Sequence, residues 1–96
     1  MTALTILICT HDRADLLQKT LASLNRARRP AMPVHILVAA NACSDDTVAQ
    51  MQAYQARQAA NGDLPLRALE VPAAGKSHAL NAAIPTIETE LIALVD

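Results

Sequence analysis

Leu4-Thr5-Ile6-Leu7-Ile8-Cys9-Thr10-His11-Asp12-Arg13 decides the fold. Its first half is apolar and rich in β-branched residues, and its second half changes within two residues to side chains that donate, accept or carry charge. A short apolar run without alternation suits a strand covered on both faces. The polar cluster then falls at the carboxyl end of that strand, where open α/β sheets hold their ligands.

Reading outward, Asp12 is placed to cap a helix beginning near Arg13. Leu17, Leu21 and Leu24 give that helix an apolar face with Leu16 and Thr20 beside it. Arg26, Arg28 and Arg29 suit its carboxyl end, and Pro30 and Pro33 stop it. Val34 to Ala40 is a second buried strand, interrupted only by His35, which is read as structural. Ser44, Asp45 and Asp46 signal the start of a second helix with Val48, Met51 and Tyr54 as its apolar face. Gly62 is placed to end it.

Leu64 to Val71 is a third strand, with Pro65 confined to its start or to an edge. Lys76 to about Ile84 is a third helix, with Leu80, Ala83, Ile84 and Ile87 on its apolar side and an early stop or kink expected at Pro85. His78 on this helix is also read as structural. Leu91 to Val95 is a fourth buried strand. The order β-α-β-α-β-α-β predicts an α/β fold: a parallel four-stranded sheet of order 3-2-1-4, flanked by helices.

A chain of 96 residues, 52% hydrophobic, supports one core and one domain. Its net charge of -1 provides no field to attract a nucleic acid backbone, and one Tyr with no Phe or Trp leaves few rings for base stacking. Nucleic acid is therefore not an expected partner. Cys9 and Cys43 are too few for a disulfide framework and too far apart in sequence for a zinc motif, which points to the cytoplasm. The apolar run at the amino end lacks a basic lead-in and is far short of the ~20 residues that span a bilayer.

The predicted topology gathers Cys9, Thr10, His11, Arg13, Asn41 and Asp96 on one rim. Arg13 and the helix starts favour anions, phosphates in particular. Asn41 has a donor and an acceptor that suit a base edge or a sugar hydroxyl. Asp96 suits ribose hydroxyls or a divalent cation with oxygen ligands. A nucleotide carrying a diphosphate matches this set. The run Ala73 to Ser77, A-A-G-K-S, is like a phosphate loop, but Glu70 stands where its first Gly belongs and Pro72 intrudes.

Four blocks carry a family resemblance. C-T-H-D-R-x-x-x-L-x-x-T-L-x-S-L (Cys9 to Leu24), I-L-V-A-A-N-A-C-S-D-D-T (Ile36 to Thr47), G-K-S-H-A-L-N (Gly75 to Asn81) and L-I-A-L-V-D (Leu91 to Asp96) resemble the opening blocks of family 2 glycosyltransferases of the GT-A fold. The resemblance implies that Cys9, Thr10, His11 and Arg13 pack against a nucleotide, that Asn41 contacts its base, and that Lys76 lies near it. It also implies that Asp96 opens an acidic motif touching ribose or a metal, with Mn or Mg as the cation of the full-length enzyme. Ala40 stands where the family often has Asp, which removes one polar contact.

The resemblance covers the nucleotide-sugar-binding, amino-terminal part of such an enzyme. It ends on the first acid of the metal motif, so no catalytic residue is expected within the chain. The expected function is donor binding, with a UDP-linked sugar, in an inverting transfer to an acceptor hydroxyl. The chain alone is expected to be inactive and to self-associate through an uncovered edge at the fourth strand. The full-length protein would be cytoplasmic or peripheral at the inner membrane face. The alternative is a non-catalytic nucleotide-binding or interaction module of the same fold.

Overall fold

A computed structural model describes residues 2–95. Its elements are β1 (Leu4–Thr10), α1 (Ala14–Arg26), β2 (Val34–Asn41), α2 (Thr47–Asn61), β3 (Leu66–Val71), α3 (Lys76–Ala83), a single 3-10 turn (Ile84–Thr86) and β4 (Leu91–Val95). All pairings are parallel and the order is β3-β2-β1-β4, as the sequence predicts. β1 therefore pairs on both sides, with Leu4 opposite Val34 and Leu91, and Ile8 opposite Val38 and Val95.

Alternation along the strands divides the interior into two layers. On one face Ile6, Ile8, Ile36, Val38 and Leu66 meet Leu17 and Leu21 of α1 and Met51 and Tyr54 of α2. On the other, Leu7, Leu37 and Ala39 meet Ala79 and Ala83 of α3. Each fully buried Leu or Ile contributes about 1.5–3 kcal/mol relative to exposure, so the larger layer dominates stability. Tyr54 ties that layer together. Its hydroxyl donates to the Leu64 carbonyl (2.7 Å) and accepts from Asn25 Nδ2 (2.9 Å), while Asn25 Oδ1 accepts from Leu64 N (2.8 Å).

The helix ends follow local chemistry. α2 closes on Gly62 at φ 69, with Gly62 N donating to Ala59 O and Asp63 N to Gln58 O, a left-handed close that glycine permits. α3 stops at Ala83, where Pro85 removes an amide and the chain tightens into the 3-10 turn. β3 starts at Leu66, immediately after Pro65, whose carbonyl still accepts from Ile36 N (2.8 Å).

Two expectations need correction. Ile84, placed on the apolar side of the third helix, is 49% exposed, because the turn at Pro85 rotates it away from the sheet. β4 is not a buried strand: Leu91, Ile92 and Leu94 are 45–51% exposed. Ile92 and Leu94 share the α3 face with Leu7, and α3 packs over β1, β2 and β3, so the β4 side of that face has no helix above it among the described residues.

One polar chain crosses the α3 face. Thr89 Oγ1 donates to the Leu91 carbonyl (2.9 Å), which leaves Thr5 Oγ1 to donate to Thr89 Oγ1 (2.7 Å) and His35 Nε2 to donate to Thr5 Oγ1 (3.2 Å). His35 is thus structural, as its place inside a strand suggested. Burial, with the Arg67 guanidinium nearby, pushes its pKa below the ordinary 6.5.

Two predictions follow from this geometry. The folded state favours neutral His35, so that stability is complete above the unfolded value of 6.5 and is lost as pH falls through the lower folded value. Urea titrations from about pH 7 to about pH 5 should show a falling midpoint in the wild type and a smaller fall in His35→Gln. Separately, Ala42 sits at φ 50, a left-handed conformation that penalises a Cβ. Ala42→Gly should stabilise by about 0.5–1 kcal/mol in the same titrations, the relief of strain exceeding the added freedom of the unfolded chain.

Candidate functional site

Three strand-to-helix loops meet at the carboxyl edge of the sheet: His11 to Arg13 after β1, Ala42 to Asp46 after β2, and Pro72 to Gly75 after β3. Each contains a residue at positive φ: Asp12 at 47, Ala42 at 50 and Gly75 at 118. The first two loops are clasped reciprocally. Asp12 Oδ1 accepts from Ser44 N (2.6 Å) and Asp45 N (3.1 Å), and its Oδ2 accepts from the Ser44 hydroxyl (2.9 Å). Asp45 Oδ2 in return accepts from Ala14 N (3.3 Å), the first amide of α1, while its Oδ1 accepts from the amide and hydroxyl of Thr47.

Asp12 therefore does not cap the helix that follows it, and α1 has no side-chain cap of its own at Arg13. The left-handed turn at Asp12 aims the carboxylate across at the β2–α2 loop, and Asp45 from that loop supplies the acceptor that α1 needs. Hydrogen bonds from Ser44, then from Asp45, hold the Asp12 carboxyl below its ordinary value of 3.8. The Thr47 hydroxyl and amide do the same for Asp45.

The edge encloses a cavity of about 510 Å3 whose lining includes Cys9, Thr10, His11, Arg13, Asn41 and Lys76. Six of the seven residues predicted to bind nucleotide thus share one hollow. The seventh, Asp96, lies outside the described residues. The volume falls within the ~300–1,000 Å3 range of small-molecule sites. Ile8, Leu16, Leu17 and Val95 supply an apolar wall of the hollow, and Arg13 and Lys76 supply cations to its lining. His11 Nδ1 donates to the Asn41 carbonyl (2.7 Å), and its Nε2 lies 3.8 Å from Asp12 Oδ2.

Asn41 lines the hollow with its polar atoms engaged. The residue is 5% exposed, Nδ2 donates to Ala73 O (2.6 Å) and Val71 O (3.4 Å), and Oδ1 accepts from Gly75 N (2.8 Å). Leu16 and Val95 in the apolar wall, and the backbone of Ala74 and Gly75, are lining residues that the sequence reading did not single out. Leu16 had a signal: a leucine beside the apolar stripe of an amphipathic helix, next to the polar cluster.

The sequence profile of glycosyl transferase family 2 matches residues 5–96. The chain belongs to that family. No curated protein sequence matches it significantly. Among solved structures, S. aureus TarS (residues 1–349) superposes at a TM-score of 0.80 with 19% identity, covering 100% of this chain and 27% of TarS. A mannosyltransferase from Pyrobaculum calidifontis, in complex with GDP-Man and Mn2+, superposes at 0.78 with 24% identity, covering 93% of this chain and 25% of that one. The fold is that of GT-A glycosyltransferases, and the chain spans about a quarter of the length of each.

A divalent cation fits poorly on the described residues. Asp12, Cys43 and Asp45 bring one ligand atom each within 4.8 Å of one another, but both carboxylates already accept from amides and hydroxyls, and a thiol is a soft partner for Mn or Mg. None of the three lines the cavity. Neither cysteine is in a disulfide, and Cys43 Sγ donates to the Thr10 carbonyl (3.6 Å). No described helix is long and apolar enough to cross a membrane.

The clasp predicts an acid-sensitive edge. Both carboxyls have depressed pKa values, so their stabilisation is complete above the ordinary 3.8 and is lost as pH falls through the lower folded values. Asp12→Asn should lower the melting temperature at about pH 7, and the difference from wild type should shrink on acidification below about pH 4.

Proposed function

We propose that the carboxyl edge of the sheet is the donor site of a glycosyltransferase and binds the nucleoside diphosphate of a nucleotide sugar. The observation that supports this most is the convergence of Cys9, Thr10, His11, Arg13, Asn41 and Lys76 on one cavity in a family 2 chain. The base and ribose would rest along the wall between Cys9, His11 and the apolar side chains. Arg13 and Lys76 would meet the diphosphate, since a fixed guanidinium or ammonium beside an anion forms the strong, charge-assisted class of hydrogen bond.

Asp96 belongs to the same proposal as the residue nearest the ribose and a Mn or Mg ion. The cation's chemistry in such a site is neutralisation of the departing diphosphate. The donor is proposed to be UDP-linked and the transfer inverting, with the acceptor hydroxyl deprotonated by a base that the described residues do not supply. The P. calidifontis mannosyltransferase, solved in complex with GDP-Man and Mn2+, supports the donor class and the cation. The exposed edge of β4, with Leu91, Ile92 and Leu94 half in water, supports self-association between copies of the chain.

Thermal melts with UDP, GDP and ATP, each with and without Mn2+, test the donor reading. A ligand that binds only the native state at about a hundred times its Kd stabilises by about 2.7 kcal/mol. The expected result is a rise with a uridine or guanosine diphosphate that Mn2+ enlarges and Arg13→Ala removes. A rise with ATP alone would overturn the reading, and a concentration-independent monomer in light scattering would remove the self-association.

A further inference from the structure

We propose that Asn41 is a positioning residue, which assembles the cavity by holding the β3–α3 loop and His11 and makes no contact with the ligand's base. The ligand half of this rests on the donor-site reading above, whereas the positioning half concerns the protein alone.

Asn41 closes β2 at the centre of the edge, and its polar atoms reach in two directions. Its amide spans the β3–α3 loop, donating to Ala73 O at 2.6 Å and accepting from Gly75 N at 2.8 Å. Its main-chain carbonyl accepts from His11 Nδ1 at 2.7 Å. A primary amide has two donor hydrogens and one oxygen, and both kinds of group are taken up within the protein. To face a base edge, the buried side chain would have to abandon the loop and give up its bonds to Ala73 O and Gly75 N, each about 0.5–1.5 kcal/mol.

The loop it holds has need of a tether. Between Val71 and Lys76 the chain makes no regular structure, Pro72 contributes no amide hydrogen, and Gly75 adopts φ 118, outside the range of residues with a Cβ. Lys76 is the next residue and the first of α3. Asn41 thus links His11 to the loop that leads into Lys76, both of them lining residues of the hollow, through one buried side chain and its own carbonyl.

An aspartate at this position provides a chemical test. Ionised Asp cannot donate to Ala73 O and opposes it with a second oxygen, whereas protonated Asp restores both bonds, the hydroxyl donating to Ala73 O and the other oxygen accepting from Gly75 N. Burial and the facing carbonyl raise the pKa of such a carboxyl. The titratable and charged groups that line the cavity with Asn41 are Cys9, His11, Arg13 and Lys76, with Cys43 in the loop that follows β2 and Glu70 on β3. Wild type carries the same groups, so a ratio to wild type at each pH isolates the substituted residue.

The experiment uses the protein expressed from its full reading frame and follows hydrogen–deuterium exchange of residues 72–79 without ligand. It also follows GDP and UDP affinity with Mn2+. In Asn41→Asp, exchange relative to wild type should be about tenfold faster near pH 8 and return toward wild type near pH 5.5. Asn41→Ala should be fast at both. Near pH 8, Asn41→Asp should weaken nucleotide binding by about tenfold, and adding Lys76→Ala should weaken it little further, the non-additivity of two residues that act together.

Unchanged loop exchange in Asn41→Asp overturns the proposal, as does recovery at low pH that Asn41→Ala shares. Binding losses of Asn41→Asp and Lys76→Ala that simply multiply overturn it too, because Asn41 would then act without Lys76. A variant that fails to fold near pH 8 and is not restored near pH 5.5 counts against it in the same way. If wild type binds neither nucleotide while exchange follows the expected pattern, the tether stands and the donor-site reading fails.

Discussion

The pairing of β1 on both sides is the constraint on which the remaining structure depends. A central strand has every backbone donor and acceptor engaged by neighbours, so it can be buried on both faces, and Thr5, Leu7 and Ile8 are 0–4% exposed. Because both partners run parallel to it, the tips of β1, β2 and β4 finish at one edge. The abrupt change from Ile8 to His11 then becomes functional geometry, since the polar residues emerge where the other strands also end.

That much was legible from residue order. Unbroken apolar runs identified the strands, Pro85 marked where α3 stops, and Gly62 closed α2 as its lack of a Cβ allows, whereas α1 ends at Arg26, short of Arg28, Arg29 and the prolines expected to stop it. The strand order followed from alternating elements and short connections. The exposure of β4 did not follow, because Leu91 to Val95 reads the same whether a helix lies above it or water does. Burial is a property of what a strand faces, and the strand's own residues carry no record of that. Ile84 was misplaced for a related reason: helical periodicity puts it with Leu80, and the proline beside it breaks the period one residue too soon.

The site was legible in membership and illegible in wiring. Residue types at strand ends were enough to bring Cys9, Thr10, His11, Arg13 and Asn41 to one hollow, and the family resemblance added Lys76. Which oxygen faces which amide depends on backbone turns of a few tens of degrees. Asp12 looked like the cap of its own helix, as an Asp before a helix usually is, yet at φ 47 it serves Ser44 and Asp45 instead. Asn41 looked like a ligand contact because its chemistry suits one, yet that chemistry is engaged by the loop beside it. Short polar side chains at the edge of a sheet can bind a substrate or bind the protein, and sequence gives no means of choosing.

The alanines under α3 have a mechanical meaning. Ala79 and Ala83 are fully buried against Leu37 and Ala39, so methyl groups set the spacing between that helix and the sheet. Interiors at this density do not absorb added volume without movement. The spacer beneath the helix therefore sets the height of α3 above the sheet, and with it the position of Lys76, the first residue of that helix and part of the lining of the hollow.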